Sequence, residues 1–303
     1  MLYTTITDDK KVRQNFAKDP AVIKFNGKYF LYYSVYIYEN EKEKLSVGIA
    51  TSEDLENWEY QGYIPLSESY ERNGVGAPGA FVKDGVVHLF YQTYGNWTKD
   101  AICHATSKNG VDFDRNPTNP IFAPTNDWCC GRAIDADVVA FKDKLFLYFA
   151  TRDHETRIQK QGVAYAPLHS EYKKSDWTQA KNGSILHPEF VWEGECIEAA
   201  ATIVRDDKIY LFYGGAYNCR PQQIGCAVSE NGVDFVKIFN EPFLTCGKKG
   251  DWNESESGHP YVFEDEDGKV YLFYQGSPDM GNSWYLSKCQ IDFKDGKPYI
   301  VNE

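Results

Sequence analysis

The chain has 303 residues and a formal net charge of −12, and it lacks the basic stripe that neutralises nucleic-acid phosphates. No segment approaches the roughly 18 consecutive apolar residues of a membrane span, so we expect neither a nucleic acid nor a membrane as partner. Aromatic residues make up 16% of the chain, and they favour the half-buried surfaces of β-sheets.

The N-terminus and the cysteines indicate the compartment. Residues 1–16 lack the apolar stretch of a secretory signal. We therefore expect a cytoplasmic protein, or a secreted or periplasmic one whose signal peptide is absent from this sequence. The eight cysteines include no CxxC pair, and their spacing favours a reduced, buried set over disulfide bridges.

A short aromatic strand recurs along the whole chain. Its five copies occupy residues 29–33, 88–91, 146–149, 210–213 and 271–274. The leucines inside them, at positions 31, 89, 147, 211 and 272, are separated by 58, 58, 64 and 61 residues. A period near sixty residues is typical of propeller blades.

Each repeat has the same internal order. A short first strand leads through a polar turn to the aromatic strand, and a third strand rich in small residues leads to an aromatic anchor on an outer strand. Four antiparallel strands in each of five blades predict an all-β fold, a five-bladed β-propeller. No Gly/Ser/Pro linker interrupts the series, so we expect one domain over residues 1–303.

The start of each first strand predicts the site, because these strands surround the propeller axis. Counting back 11 or 12 residues from the aromatic strands reaches Asp19, Ala77, Asp135, Glu198 and His259. Buried charge near an axis is costly unless it is paired or used in chemistry. We therefore predict that the three carboxylates are catalytic, although they could instead cap the hub.

Nearby acids compete for two of these positions. Asp137 shares a strand face with Asp135, and Glu193 and Glu195 precede Glu198. The spacing alone selects Asp135 and Glu198. The isoleucine and alanines that flank Glu198 predict an apolar setting, which would raise its pKa as a general acid requires.

Four short motifs at matching offsets resemble glycoside hydrolase family 43, whose five-bladed members include arabinofuranosidases, xylosidases and arabinanases. The motifs are Asp19-Pro20, Ile134-Asp135, Glu198 and Gly258-His259. The resemblance implies inversion of configuration, with Asp19 as general base, Glu198 as general acid and Asp135 tuning the acid. It also implies that His259 lies near the axis, where members of the family often hold a calcium ion or a water.

Two departures from that pattern keep alternatives open. Alanine follows Asp135, and Ala199-Ala200 follow Glu198, where the family usually has proline. A retaining, fructosidase-like propeller therefore remains an alternative, although Lys18 stands where those enzymes usually carry asparagine. A glycoside phosphorylase, for which we find only Arg132 and Arg220 as phosphate ligands, and an inactive carbohydrate-binding propeller are further alternatives.

Three side chains outside the strand starts are candidates for substrate binding. Trp97 and Trp128 fall in loops next to inner strands, where a flat ring can stack on a sugar. Arg132, three residues before Asp135, could pair with a carboxylate or bind a hydroxyl. The leading hypothesis is an inverting, exo-acting glycosidase on α-L-arabinofuranosyl or β-D-xylosyl units of plant-type glycans.

Overall fold

The computed structural model describes residues 1–5, 11–125 and 127–301. Within them, twenty strands form five sheets, each with four antiparallel strands. Blade one has β1 Lys18–Phe25, β2 Lys28–Glu39, β3 Lys42–Ser52 and β4 Glu59–Tyr63. Blade two has β5 Val75–Lys83, β6 Val86–Thr93, β7 Ile102–Ser107 and β8 Asp114–Arg115. Blade three has β9 Ile134–Phe141, β10 Lys144–Arg152, β11 Gln159–Pro167 and β12 Thr178–Gln179.

The last two blades continue this order. Blade four has β13 Ile197–Arg205, β14 Lys208–Gly215, β15 Gln223–Ser229 and β16 Val236–Lys237. Blade five has β17 Glu256–Glu264, β18 Val270–Ser277, β19 Tyr285–Lys294 and β20 Lys297–Ile300. Short 3₁₀ helices in the connections span Ser69–Glu71, Trp97–Lys99, Lys174–Asp176 and Val191–Glu193. The predicted five-bladed β-propeller is confirmed.

The first strands of the blades form the inner ring. Each of β1, β5, β9, β13 and β17 contacts the first strands of both neighbouring blades, and β17 contacts β1. The ring therefore closes around a central axis, and the residues that begin these strands lie close together.

The aromatic strands form the core of the blades. Their five leucines, at positions 31, 89, 147, 211 and 272, are fully buried. Burying a leucine side chain contributes about 2 kcal/mol, so the repeated strand supplies much of the driving force for folding. Consecutive residues of these strands are buried, so both faces of each aromatic strand are covered.

The turns after the third strands join neighbouring blades. The hydroxyl of Tyr32 in blade one donates to the carbonyl of Gly110 in blade two at 2.8 Å, and the Phe113 ring of blade two packs edge-on against Tyr32. Blade four repeats this arrangement, since the hydroxyl of Tyr148 donates to the carbonyl of Gly232 at 2.9 Å. The aromatic anchor predicted after the third strand thus fixes each of these blades to the blade before it.

The N-terminal segment links the last blade to the first. The backbone of Tyr3 exchanges two hydrogen bonds with Leu286 of β19, at 2.8 and 2.7 Å. The Tyr3 hydroxyl also lies 2.9 Å from that of Tyr33 in β2. Residues 1–5 therefore lie across the seam where the ring closes.

All eight cysteines are free, as expected, but only half of the predicted buried set is buried: Cys103, Cys129, Cys196 and Cys226. Among the described residues, no helix is long and apolar enough to cross a membrane.

Candidate active site

Each first strand is interrupted by a β-bulge near the axis. The pairing with the second strand skips two residues in every blade, for example between Lys18 and Ala21. The first skipped residue has a positive φ: Asp19 (54°), Ala77 (43°), Asp135 (55°), Ala199 (55°) and His259 (40°). Non-glycine residues rarely adopt this conformation, and its recurrence at one position of all five blades shows that the bulge is built into the fold.

This register corrects one prediction. Asp19, Ala77, Asp135 and His259 occupy equivalent positions, but the blade-four member is Ala199 rather than Glu198. Glu198 stands one residue earlier and pairs with Gly214, as Lys18 pairs with Ser34 in blade one. In blade five the count from His259 to the aromatic strand is also 12 residues. There the extra residue lies in the turn between Glu264 and Val270, which is longer than in the other blades.

Side chains from the preceding blade hold the bulges in place. In four blades the amide N–H of the positive-φ residue donates to such a side chain. The donor–acceptor pairs are Asp19 to Gln275 at 3.0 Å, Ala77 to Ser34 at 2.8 Å, Asp135 to Gln92 at 2.7 Å and His259 to Gln222 at 3.1 Å. Buried N–H groups without partners are costly, so these bonds stabilise the strained backbone that aims each side chain at the axis.

A cavity of about 370 Å³ lies at the axis, and the predicted residues meet there. Asp19, Asp135, Glu198 and His259 all line it. The three carboxylates come from blades one, three and four, so the propeller presents them from different directions around one pocket.

Asp19 is held ionised by its neighbours. Burial opposes ionisation, but Lys18, protonated His259 and the Ser34 hydroxyl together outweigh it, so the pKa of Asp19 is lowered. Its Oδ1 lies 3.1 Å from Nδ1 of His259. Burial also lowers the pKa of His259, so this side chain is neutral near pH 7. Lys18 is then the positively charged neighbour of Asp19 at that pH.

Asp135 has the opposite electrostatic environment. Its pKa is raised well above the ordinary value, first by burial and then by the negative charges of Glu198 and Asp19. Arg132 and Lys18 act against this effect without cancelling it. Asp135 therefore keeps its proton to a higher pH than Asp19 does, and one pocket contains two carboxyl groups whose pKa values are shifted in opposite directions.

The prediction that Glu198 lies in an apolar setting is wrong, because two polar side chains contact its carboxyl group. Its Oε1 accepts a hydrogen bond from Nε2 of Gln222 at 2.6 Å, and its Oε2 accepts one from Nε2 of Gln159. Two amides from neighbouring strands and loops thus orient this carboxyl group. Gln222 also accepts the His259 amide, so it links the blade-four acid to blade five.

The competing acids lie outside the central cavity. The Asp137 carboxylate accepts the Thr202 amide of blade four at 2.9 Å. Glu195 pairs with Arg157 near the surface. Glu193 is fully buried and pairs with Lys237 at 2.7 Å. The structure therefore places Asp135 and Glu198, and none of these three, in the pocket.

Of the three predicted substrate-binding residues, two lie at or near the cavity and one does not. Arg132 lines the cavity, and Trp97, whose side chain is 56% exposed, lies near it. The Trp97 ring centre is 5.9 Å from the guanidinium carbon of Arg132 and 5.1 Å from that of Arg152. Trp128 does not line the cavity, because its ring packs against Phe149 in the core of blade three.

Several pocket residues were not predicted. Lys18, Arg152, Gln159, Tyr217 and Trp284 line the cavity. One signal could have revealed the side chains that hold the bulges, since Ser34, Gln92 and Gln275 on the second strands each follow a repeat leucine by three residues. A polar residue at that position of a buried strand needs a partner, and the neighbouring bulge provides it.

The donors around His259 do not fit the calcium ion expected at the axis. Calcium takes six to eight oxygen ligands, whereas His259 contributes a nitrogen, and Lys18 adds a positive charge beside Asp19. No group of three or more His, Cys, Asp or Glu side chains in the described part of the chain could hold a metal ion. The donor set therefore does not support the calcium expectation.

A propeller whose axis brings together one carboxyl with a lowered pKa and one with a raised pKa has the equipment of a glycosidase, which needs an ionised and a protonated carboxyl. The chain matches the family model "Glycosyl hydrolases family 43" over residues 9–298, and it belongs to that family. Membership of a glycosyl hydrolase family makes the protein a glycosidase by class, and the family implies a carbohydrate substrate.

Individual relatives are distant. A solved thermostable family-43 glycoside hydrolase has a TM-score of 0.75 and 23% identity, covering 95% of this chain and 93% of that one. An endo-1,4-beta-xylanase from Bacteroides thetaiotaomicron has a TM-score of 0.74 and 20% identity, covering 96% and 97%. A curated 1,2-beta-oligomannan phosphorylase of Thermoanaerobacter sp. (strain X514) is 26% identical over 206 residues. That match covers 66% of this chain and only 64% of the phosphorylase.

Proposed function

We propose that this glycosidase inverts the anomeric configuration and removes terminal α-L-arabinofuranosyl or β-D-xylosyl units from plant-type glycans. The observation that carries the proposal is the divergence of two carboxyl groups in one pocket. The pKa of Asp19 is lowered and that of Asp135 is raised well above its usual range. Such a division supplies the base and the acid of glycoside hydrolysis.

In the proposed reaction, ionised Asp19 takes a proton from a water molecule as the water oxygen bonds to the anomeric carbon. The bond from that carbon to the leaving oxygen breaks with inversion, and the leaving oxygen receives a proton. The Asp135–Glu198 pair supplies that proton, and Glu198, oriented by Gln159 and Gln222, delivers it as general acid. Inversion requires roughly 6.5–9.5 Å between acid and base to admit the water.

The shape of the site supports action on chain ends. The cavity is walled by side chains from connecting segments, including Tyr94, Tyr217 and Trp284, in addition to the inner strands. Such walls suit the release of a terminal unit better than binding along a polysaccharide. The choice of pentose rests on the resemblance of the sequence motifs to arabinofuranosidases and xylosidases.

A panel of nitrophenyl glycosides, with the first-formed sugar anomer followed by proton NMR, tests the proposal. We expect turnover of an α-L-arabinofuranoside or β-D-xyloside, with the product anomer opposite to that of the substrate. The same anomer as the substrate would indicate a retaining, fructosidase-like enzyme instead. If none of the glycosides in the panel were cleaved, a carbohydrate-binding propeller without activity would be favoured.

Phosphorolysis is a second candidate, because the curated relative is a phosphorylase and four cationic side chains line the pocket: Arg13, Lys18, Arg132 and Arg152. Against it, ionised Asp19 would repel a phosphate placed on its side of the sugar. Adding inorganic phosphate to the panel separates the two reactions, since phosphorolysis yields a sugar 1-phosphate and hydrolysis a free sugar.

A further inference from the structure

Two arginines and one tryptophan form a cationic face on one side of the pocket. The guanidinium groups of Arg132 and Arg152 both lie within 6 Å of the Trp97 ring centre. Arg152 also lies 5.1 Å from the ring centre of Tyr217. Arg132 precedes β9 and Arg152 ends β10, so both belong to blade three.

Arg132 differs from the other three cations of the pocket. The Arg13 guanidinium donates to the carbonyl of Asn282 at 3.1 Å, Lys18 donates to Asn218 at 3.1 Å and Arg152 donates to Gln159 at 2.9 Å. Nε and Nη1 of Arg132 are buried and have no hydrogen-bond partner among the described residues. Buried donors of a charged group are costly to leave unpaired, and no protein acceptor in the described part of the chain satisfies these two, so this guanidinium, which lines the cavity, can attract an anionic ligand.

The charge of the pocket fits an anionic ligand group. Four cations line the cavity against three carboxyl groups, and burial and the neighbouring negative charges raise the pKa of one of these, Asp135, so they disfavour its ionised form. The pocket therefore has an excess of positive charge in a chain whose net charge is −12. Asp100 is close enough to interact with Arg132, but its carboxylate accepts its hydrogen bonds from Thr93 and Asn96.

The position of the arginines indicates which part of the substrate they contact. Arg152 donates to Gln159, and Gln159 donates to Glu198, so this face adjoins the proposed acid. In the ring of five blades, blades three and four lie opposite blade one, which contributes Asp19. The arginines are therefore on the side from which the leaving group departs, away from the attacking water.

We propose that Arg132 and Arg152 bind the carboxylate of an acidic sugar, a uronic acid, that forms part of the leaving group. This inference rests on the proposed function, because the leaving-group side is defined by Glu198 as the acid. A guanidinium matches a carboxylate with two parallel N–H bonds, and Trp97 offers a flat, exposed ring beside them for the sugar.

A matched pair of aryl glycosides of the cleaved sugar tests the subsite. One leaving phenol carries a 4-carboxymethyl group and the other its neutral carboxamide, and the methylene keeps the two phenols similar in reactivity. We expect kcat/KM to favour the carboxylate by about 10- to 100-fold, the range of a charge-assisted hydrogen bond. Arg132→Met should bring the ratio of the two kcat/KM values close to one, whereas Arg72→Met, an exposed arginine outside the pocket, should keep it.

Binding without turnover supplies an independent measurement. Titration with D-glucuronate and with neutral D-glucuronamide, followed by tryptophan fluorescence, should show tighter binding of glucuronate that is lost in Arg132→Met. If every glycoside stayed intact while this preference remained, the subsite would stand and the proposed function would fall.

Three results would overturn the subsite. The first is normal turnover with equal kcat/KM values for the two glycosides, which would leave the proposed function intact. The second is saturable acceleration by inorganic phosphate with a sugar 1-phosphate as product, because the arginines would then serve the nucleophile. The third is the absence of both turnover and glucuronate binding.

Discussion

Nδ1 of His259 lies 3.1 Å from Oδ1 of Asp19, across the seam between the last blade and the first. The proposed base therefore depends on the meeting of the two ends of the chain. The backbone of Trp284 secures this seam, since its N–H donates to Asn15 and its carbonyl accepts from Ala17. The site is complete only when the ring of blades is closed.

The acidic limb of the pH profile tests the pair Lys18 and Asp19. Because Lys18 helps to lower the pKa of Asp19, and Asp19 must be ionised to act as base, Lys18→Met should move the acidic limb of kcat/KM to higher pH. We expect a shift of about one pH unit or more. Lys28→Met, at an exposed lysine outside the pocket, is the matched control and should leave the limb where it is. An unchanged limb in Lys18→Met would contradict this account of Asp19.

Asp137 should make the stability of the fold depend on pH. Burial raises the pKa of this carboxyl from 3.8 to about 7, although hydrogen bonds from Thr202 and Val138 favour ionisation. Its contribution to stability is thus fully present below pH 3.8 and is lost as the pH rises through about 7. At pH 8, Asp137→Asn should unfold at a higher urea concentration than the parent. Its free energy of unfolding should exceed that of the parent by at most about 4 kcal/mol, and the difference should vanish near pH 4.

The control for this effect is Asp143→Asn, an exposed aspartate in the turn between β9 and β10. It should leave the pH dependence unchanged. If Asp137→Asn and its parent lost stability in parallel between pH 4 and pH 8, the raised pKa of Asp137 would be refuted.

A buried ion pair in blade two should be essential for stability. The Glu71 carboxylate is fully buried, accepts from the Tyr91 hydroxyl at 2.7 Å and pairs with Arg115 at 2.7 Å. Glu71→Gln leaves Arg115 without its counter-charge, which typically costs about 3–5 kcal/mol. Thermal and urea unfolding should both register the loss, while Glu68→Gln, at an exposed neighbour, should be close to the parent. Equal stability of the two variants would show that this ion pair contributes little.

The sequence predicted the fold well because the repeat exposes it. A leucine in an aromatic strand every sixty residues can be counted without knowing any contact, and the start of each inner strand follows from it. Asp19, Asp135 and His259 were located in this way.

The prediction lost accuracy where one residue of register matters. In blade four the count of 12 residues arises because Glu198 stands one residue before the bulge position. In blade five the same count arises from a longer turn before Val270, and counting residues cannot distinguish the two causes. Trp128 was misassigned because burial inside a blade and exposure at the axis have the same sequence signature. Arg13 and Trp284 reach the pocket only because the chain ends meet, which no local pattern reveals.

In the proposed reaction Glu198 delivers the proton to the leaving oxygen, and a comparison of leaving groups in Glu198→Ala tests this role most directly. On an aryl glycoside with a poor leaving group, kcat/KM should fall by about 10²–10⁴-fold, the usual contribution of general acid catalysis. On a dinitrophenyl glycoside, whose leaving group needs no proton, the loss should be far smaller. Glu195→Ala, which removes the neighbouring surface acid, should retain the activity of the parent on both. Near-full activity of Glu198→Ala on the poor leaving group would contradict the assignment.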